Sequence, residues 1–261
     1  MSENNDTPDL AGQEHGHGRP SKSMALLASQ LSESIPPPTH LTQPSPIVEF
    51  YRGGCDSQGR SLADFLQWSD ARLEYTHDYI QILFPIPEKS NFMLDPAPTL
   101  DNLTMEAFRN DHQLRAGMRK ALARMLDFFG FSYEITSHKV ETTLANDESD
   151  HQWLSGILPD RTRFPRAARN WMNSHNDLRI TRIIRCLRCC GLSIEADGFY
   201  NALRAIYVNR AAYPSKIRDR TFMYWTRAAQ RDLSIPPNLS DAEADELLAT
   251  HNTSEQNTTI P

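Results

Sequence analysis

The chain has 261 residues, 39% of them hydrophobic, with 27 Lys and Arg against 33 Asp and Glu. That length suits one domain with tails or two small domains, and no run of about 18 apolar residues is present to span a bilayer. The acidity lies at the ends: residues 1–45 hold five acids and two bases, residues 233–261 hold five acids and no Lys or Arg, and 46–232 keeps 23 acids and 25 bases. So balanced a middle excludes a strongly basic nucleic-acid binder. No basic segment followed by an apolar stretch opens the chain, and three of the four cysteines cluster, unlike a disulfide framework. A cytoplasmic or nuclear placement is expected.

Residues 1–45 contain Glu14-His-Gly-His-Gly-Arg-Pro20 and Pro36-Pro-Pro38, too little apolar area to offset ordering entropy, and read as a disordered tail. In 62–83 the apolar positions Leu62, Phe65, Leu66, Leu73, Ile80 and Leu83 recur at helical spacing. A break at Ser69-Asp70 divides this run into two helices, and Pro85 ends it. The proline-rich stretch 86–100 reads as a wrapping loop. Residues 112–129 place Leu114, Met118, Leu122, Met125, Leu126 and Phe129 on one face, with Gly130 at the C-cap.

Residues 133–150 are weak in apolar content and read as a mobile insertion. Helices resume near Phe164, then over 176–190, over 196–209 with Phe199, Leu203 and Ile206 inward, and along Ile217 to Ala228. The sequence therefore predicts an all-α fold: a single compact multi-helix domain over 46–232, with acidic disordered tails at 1–45 and 233–261.

The densest signal is Ser174-His-Asn-Asp-Leu-Arg-Ile-Thr-Arg-Ile-Ile-Arg-Cys-Leu187. Ser174 and Asp177 have the spacing of a capping box. Ile180, Ile183, Ile184 and Leu187 form a buried stripe. Arg179, Arg182, Arg185 and Arg188 recur every third residue, so the row drifts around the helix, with Arg182 and Arg185 flanking the stripe. Residues 161–188 hold eight arginines and one acid. This excess points either to an anion site or to internal pairing with acids such as Glu74, Asp78, Asp111 and Asp127.

His77 and His175 are the candidate acid–base groups, because histidine titrates near neutral pH. If helical, His77 shares a face with Gln81, and Tyr75 with Tyr79. The alternative is a structural histidine bonded to the 86–98 loop. Asn176, Arg179, Arg182, Tyr79 and Gln81 are the candidate ligand contacts. Cys186, Cys189 and Cys190 share a helical face but lack a nearby fourth ligand, so they read as packed thiols and no metal is expected. Asn176-Asp177 resembles the start of a terpene-cyclase metal motif, but Ile180 and Ile184 stand where Ser/Thr and Glu are needed. No cofactor and no nucleic-acid partner are expected.

The 174–187 run resembles the Ser-His-Asn-x-Leu-Arg-Ile-Thr-Arg-Ile-Leu signature of the opioid growth factor receptor conserved domain. His77-Asp-Tyr-Ile-Gln-Ile-Leu-Phe-Pro85 is similar to that family's His-x-Tyr-Ile-Gln-Trp-Leu-Phe-Pro, with Ile82 in place of tryptophan. Phe50-Tyr51, Ala97-Pro98, Phe108-Arg109 and Met125-Leu-Asp-Phe-Phe-Gly130 follow the family's order, over about 50–230. The middle, about two charges to the basic side, and the compact size resemble microbial or fungal members. The resemblance implies an enkephalin-type peptide ligand, a signalling role and peripheral association with nuclear membranes. Two functions are therefore expected. The first is a regulatory protein binding a small-molecule or peptide ligand, with an anion pocket between the His77 and Arg179 helices. The alternative is an all-helical accessory enzyme of specialised-metabolite, including terpenoid, biosynthesis, using histidine acid–base chemistry and arginine anion stabilisation.

Overall fold

The computed structural model describes residues 45–88, 98–138, 151–172, 174–209 and 217–257. The expected tail up to residue 44 lies outside these, as do 89–97 of the proline-rich loop and 139–150 of the expected insertion.

α1 (Pro46–Tyr51) opens on proline, whose missing N–H has no intrahelical partner to lose at that position. α2 (Leu62–Gln67) starts in a capping box: the Asp64 N–H donates to the Ser61 hydroxyl, and the Asp64 carboxylate accepts from the Ser61 N–H. α3 (Asp70–Tyr75) is capped by Ser69, so the break predicted there is present. α4 (Tyr79–Leu83) stops ahead of Pro85. α5 (Asn102–Asn110) and α6 (His112–Phe129) meet at Asp111, which ends one helix and caps the next by accepting from the Gln113 and Leu114 N–H groups.

α6 is the axis of the core. Its predicted stripe is buried throughout and packs against α1, α2 and α5. Gly130 ends it in the left-handed conformation, at φ +83°. A Cβ there would also sit 2.8 Å from Phe164 Cα and 2.9 Å from Ala167 Cβ.

β1 (Phe131–His138) and β2 (His151–Pro159) follow as an antiparallel pair. This corrects the all-α expectation to a mostly helical fold carrying one two-stranded sheet, and residues 133–138 belong to it. Few apolar residues of the pair point inward: Phe131, Leu154 and Ile157 are buried while Ile135 and Leu158 are exposed. The register also slips between Ser132 and Glu134, where Gly156 adopts φ +58° on the partner strand. That bulge interrupts the two-residue alternation a sequence reading depends on.

α7 (Phe164–Trp171) turns Phe164, Ala168 and Trp171 inward, and the Trp171 indole donates to the Phe129 carbonyl at 3.0 Å. α8 (Asn176–Cys189) packs against both α9 (Ser193–Val208) and α10 (Asp219–Gln230), while β2 lies on α9. Between α6 and α9 the buried Glu195 pairs with Arg119. From residue 233 onward, where a disordered tail is expected, Ile235 and Ala244 are buried and α11 (Asp241–Asn257) follows. Arg227 and Arg231 fix this segment by donating to the Leu239 carbonyl at 2.9 and 2.8 Å.

Candidate functional site

The start of α8 differs from a capping box. The Ser174 hydroxyl accepts from the Asn176 N–H at 3.2 Å and donates to the Trp171 carbonyl at 2.6 Å. The Asp177 carboxylate turns instead to α10, where it accepts from the Thr221 hydroxyl at 2.9 Å. The Trp225 indole donates to the Asp177 carbonyl at 3.0 Å. Ser174 therefore links α7 to α8, and Asp177 links α8 to α10.

The arginine row resolves into backbone clamps. Arg179 Nη1 donates to the Leu73 carbonyl at 2.9 Å and Nη2 to the Thr76 carbonyl at 2.7 Å, closing the C-terminal end of α3. Arg182 donates to the Phe84 carbonyl, just past α4. Arg188 donates to the Ala228 and Arg231 carbonyls at the end of α10. Arg185 grips the Leu233 carbonyl and pairs with Glu88 at 2.7 Å. Negative partial charge at a helix C-terminus suits a guanidinium there. Of the acids expected as partners, Asp127 does pair with an arginine of this cluster, Arg163, whereas Asp111 pairs with Arg52 and Asp78 with Arg60. Burial pulls Arg179 and Arg182 below the ordinary guanidinium pKa.

The two histidines meet. Their ring centroids are 4.8 Å apart, at 44° to one another. His77 does not lie on a helix: it sits in the link between α3 and α4, and its Nδ1 is 3.0 Å from the Tyr75 carbonyl oxygen; most of the 86–98 loop expected as its partner lies outside the described residues. His175 Nε2 lies 3.5 Å from Glu74 Oε1. The other oxygen of Glu74 accepts from Asn176 Nδ2 at 2.9 Å, and Asn176 Oδ1 accepts from Arg179 at 3.0 Å. A connected path thus runs from the exposed histidines through Glu74 and Asn176 to the buried Arg179. Burial, reinforced by the Arg179 charge and by His77, holds the His175 pKa below its ordinary value, with Glu74 opposing.

The remaining predicted contacts take other positions. Tyr79 is fully buried, with its hydroxyl 3.8 Å from Met125 Sδ and its ring 5.3 Å from the Arg179 guanidinium carbon; burial pushes its phenol up to about 12. Tyr75, expected on the same helical face, is 83% exposed, because the link at Thr76–Asp78 separates the two tyrosines. Gln81 is buried, and among the described residues its side-chain oxygen has no partner. Arg182 lies at the end of α4, away from the histidine pair in its contacts. The residue that sequence reasoning undervalued is Glu74. It stands 102 positions from Asn176, and nothing local in the sequence marks it as the partner of an asparagine and a histidine.

Ile180 and Ile184 are fully buried, so α8 presents core side chains where a terpene-cyclase motif carries metal ligands. Cys186, Cys189 and Cys190 are packed inside; the Cys186 thiol faces Met118 Sδ at 3.9 Å, and burial raises both the Cys186 and Cys189 thiols. Among the described residues no group of three or more His, Cys, Asp or Glu is placed to hold a metal, and no helix is long and apolar enough to cross a membrane.

Comparison with known proteins finds relatives of this sequence among the opioid growth factor receptors. The chain is 32% identical over 151 residues to the opioid growth factor receptor of Rattus norvegicus, which is 56% of this chain and 23% of that protein. It is 30% identical over 154 residues to that of Homo sapiens, 57% of this chain and 20% of the relative. Against that of Mus musculus the figures are 31% over 151 residues, 56% and 21%. The chain thus spans about a fifth of the length of these relatives. No solved structure matches it. Residues 47–229 match the opioid growth factor receptor (OGFr) conserved region, and the matched stretch runs from α1 to the last turn of α10, including both histidines and the whole arginine row: the chain belongs to that family.

Proposed function

We propose that this domain is a ligand-binding regulatory module whose contact surface is formed by Tyr75, His77, His175 and Leu178. The observation that carries this reading is the histidine pair, set 4.8 Å apart at the surface and held from beneath by a buried polar network. Tyr75 and Leu178 are among the most exposed large side chains, and they stand two residues before His77 and three residues after His175, so aromatic and apolar area is close in sequence to both imidazoles. Such a mixture suits a small molecule or short peptide with both apolar and polar groups. Arg179 and Arg182 enter as positioning residues, because their donors are engaged by backbone carbonyls; Asn176 does the same for Glu74.

The matched relatives are named as receptors for opioid growth factor, which makes that peptide the first probe. Titrating it into the isotope-labelled chain should shift the imidazole resonances of His77 and His175 saturably. The double replacement of His77 and His175 by Ala should weaken binding at least tenfold with the fold unchanged. Wild-type affinity in that variant, or an absence of saturable binding, would overturn the reading.

A further inference from the structure

The arginines of α8 are engaged, but Arg72 on α3 is not. Its guanidinium carbon lies 4.0 Å from the centre of the Trp68 ring, and Trp68 itself is nearly buried. Among the described residues the Arg72 side chain makes no hydrogen bond and no ion pair; its backbone N–H donates to Ser69. Asp70 pairs with Arg124, and Asp64 accepts from the N–H and hydroxyl of Ser61 while the Arg72 charge helps hold its carboxyl below the usual range without a direct bond. Arg72 also borders an open depression shared with Gly59, Arg60, Asp64, Gln67, Trp68 and Ser69, in which Arg60 is already paired with Asp56 and Asp78.

A guanidinium resting on an aromatic ring keeps its in-plane N–H donors available, and the ring limits the orientations it can take. The side chain is therefore pre-ordered and positively charged, without a counter-ion within hydrogen-bond reach, beside the Gln67 amide and Ser69 hydroxyl that can add donors. Asp64 in the same depression restricts what can bind: one compact oxyanion suits the charge, whereas an extended polyanion meets repulsion. The sequence leaves the α8 arginines open between an anion site and internal pairing, and their donors are taken by carbonyls and Glu88. We propose that Arg72, stacked on Trp68, binds a small oxyanion, a carboxylate or a phosphate, through a bidentate pair of N–H donors.

The test uses the full chain, with inorganic phosphate and acetate as separate probes against sodium chloride of equal ionic strength, followed through the Arg72 Nε–H and Trp68 indole resonances. Wild type and Arg161→Gln, which alters an exposed arginine elsewhere, should both show saturable shifts with at least one probe. Arg72→Gln should bind about tenfold or more weakly, the usual scale for a charge-assisted pair. Arg72→Lys, which keeps the charge and loses the fork, should fall between. Unchanged Trp171 and Trp225 indole signals report an intact core in each variant. Wild-type binding by Arg72→Gln overturns the proposal, and so does a response to both probes no larger than that to chloride. Because neither probe is a peptide and neither variant alters a histidine, failure here leaves the histidine-surface reading standing.

Discussion

Arg179 and Leu73 stand 106 positions apart, yet Arg179 Nη1 donates to the Leu73 carbonyl oxygen at 2.9 Å. α3 has six residues, so most of its carbonyls lack an intrahelical partner, and one guanidinium closes Leu73 and Thr76 together. The contact holds the His77 link in place from inside the molecule. What happens to the histidine surface therefore depends on a side chain that contributes nothing to its outer face.

Replacing Arg179 with Met should cost about 3 kcal/mol, because buried carbonyls and Asn176 lose their donor. Arg179→Lys should recover less than half of that, since an ammonium cannot bridge the same fork of acceptors. Urea unfolding followed by circular dichroism measures both. A loss below about 1 kcal/mol for the Met variant would mean that water substitutes for the guanidinium at these carbonyls.

Gly130→Ala should destabilise the fold by about 3 kcal/mol, combining left-handed backbone strain with a clash against Phe164 and Ala167. Gly53 also has positive φ, at +103°, but a Cβ there meets nothing within 4 Å. Gly53→Ala should therefore show strain alone, about 1 kcal/mol. Equal losses in thermal unfolding would remove the steric part of the argument.

The depressed pKa of His175 sets a direction for acid sensitivity. The folded state disfavours the imidazolium, so the unfolded chain binds the proton more readily. The contribution of His175 is fully present above its ordinary pKa of 6.5 and is lost as pH falls below that value towards the folded pKa. Between pH 7.5 and 5.5, wild type should lose more melting temperature than His175→Gln. A larger loss in the variant would reverse the sign and exclude this account.

Ile235→Ala should cost about 2 kcal/mol, the usual scale for truncating a buried aliphatic side chain. Ile235 is 6% exposed, in a segment whose composition predicts disorder. Hydrogen exchange offers a second measurement: the Leu239 region should stay protected with Arg231 present and lose protection in Arg231→Ala.

Helices with a complete stripe were legible in the sequence. α6 is legible with its ends and its Gly130 cap because each inward position is apolar and the stop residue has one conformational role. α8 was legible as a buried stripe for the same reason, and the drift of its arginines followed from helical pitch alone. What they hold did not follow, since the acceptors are carbonyls, which every residue carries and no sequence pattern marks. The strand pair was hidden by its bulge and its short inward set. Residues 233–244 were hidden because their order rests on Ile235 and on two arginines of α10 rather than on any period of their own. At the candidate site, both histidines and Asn176 are singled out by motif and chemistry; Glu74 is legible as an acid able to pair internally, while its bonds to Asn176 and His175 depend on α3 and α8 packing together.

Because the arginine row winds around α8, its four side chains reach outward to four different stretches of chain, at Leu73–Thr76, Phe84, Glu88 with Leu233, and Ala228–Arg231. A rod pegged on several sides cannot rotate about its own axis or slide along it without withdrawing several pegs at once. Any response to an occupied surface would then have to travel as a displacement of whole segments together with α8, and His175 at its leading end would move with the entire core rather than independently of it.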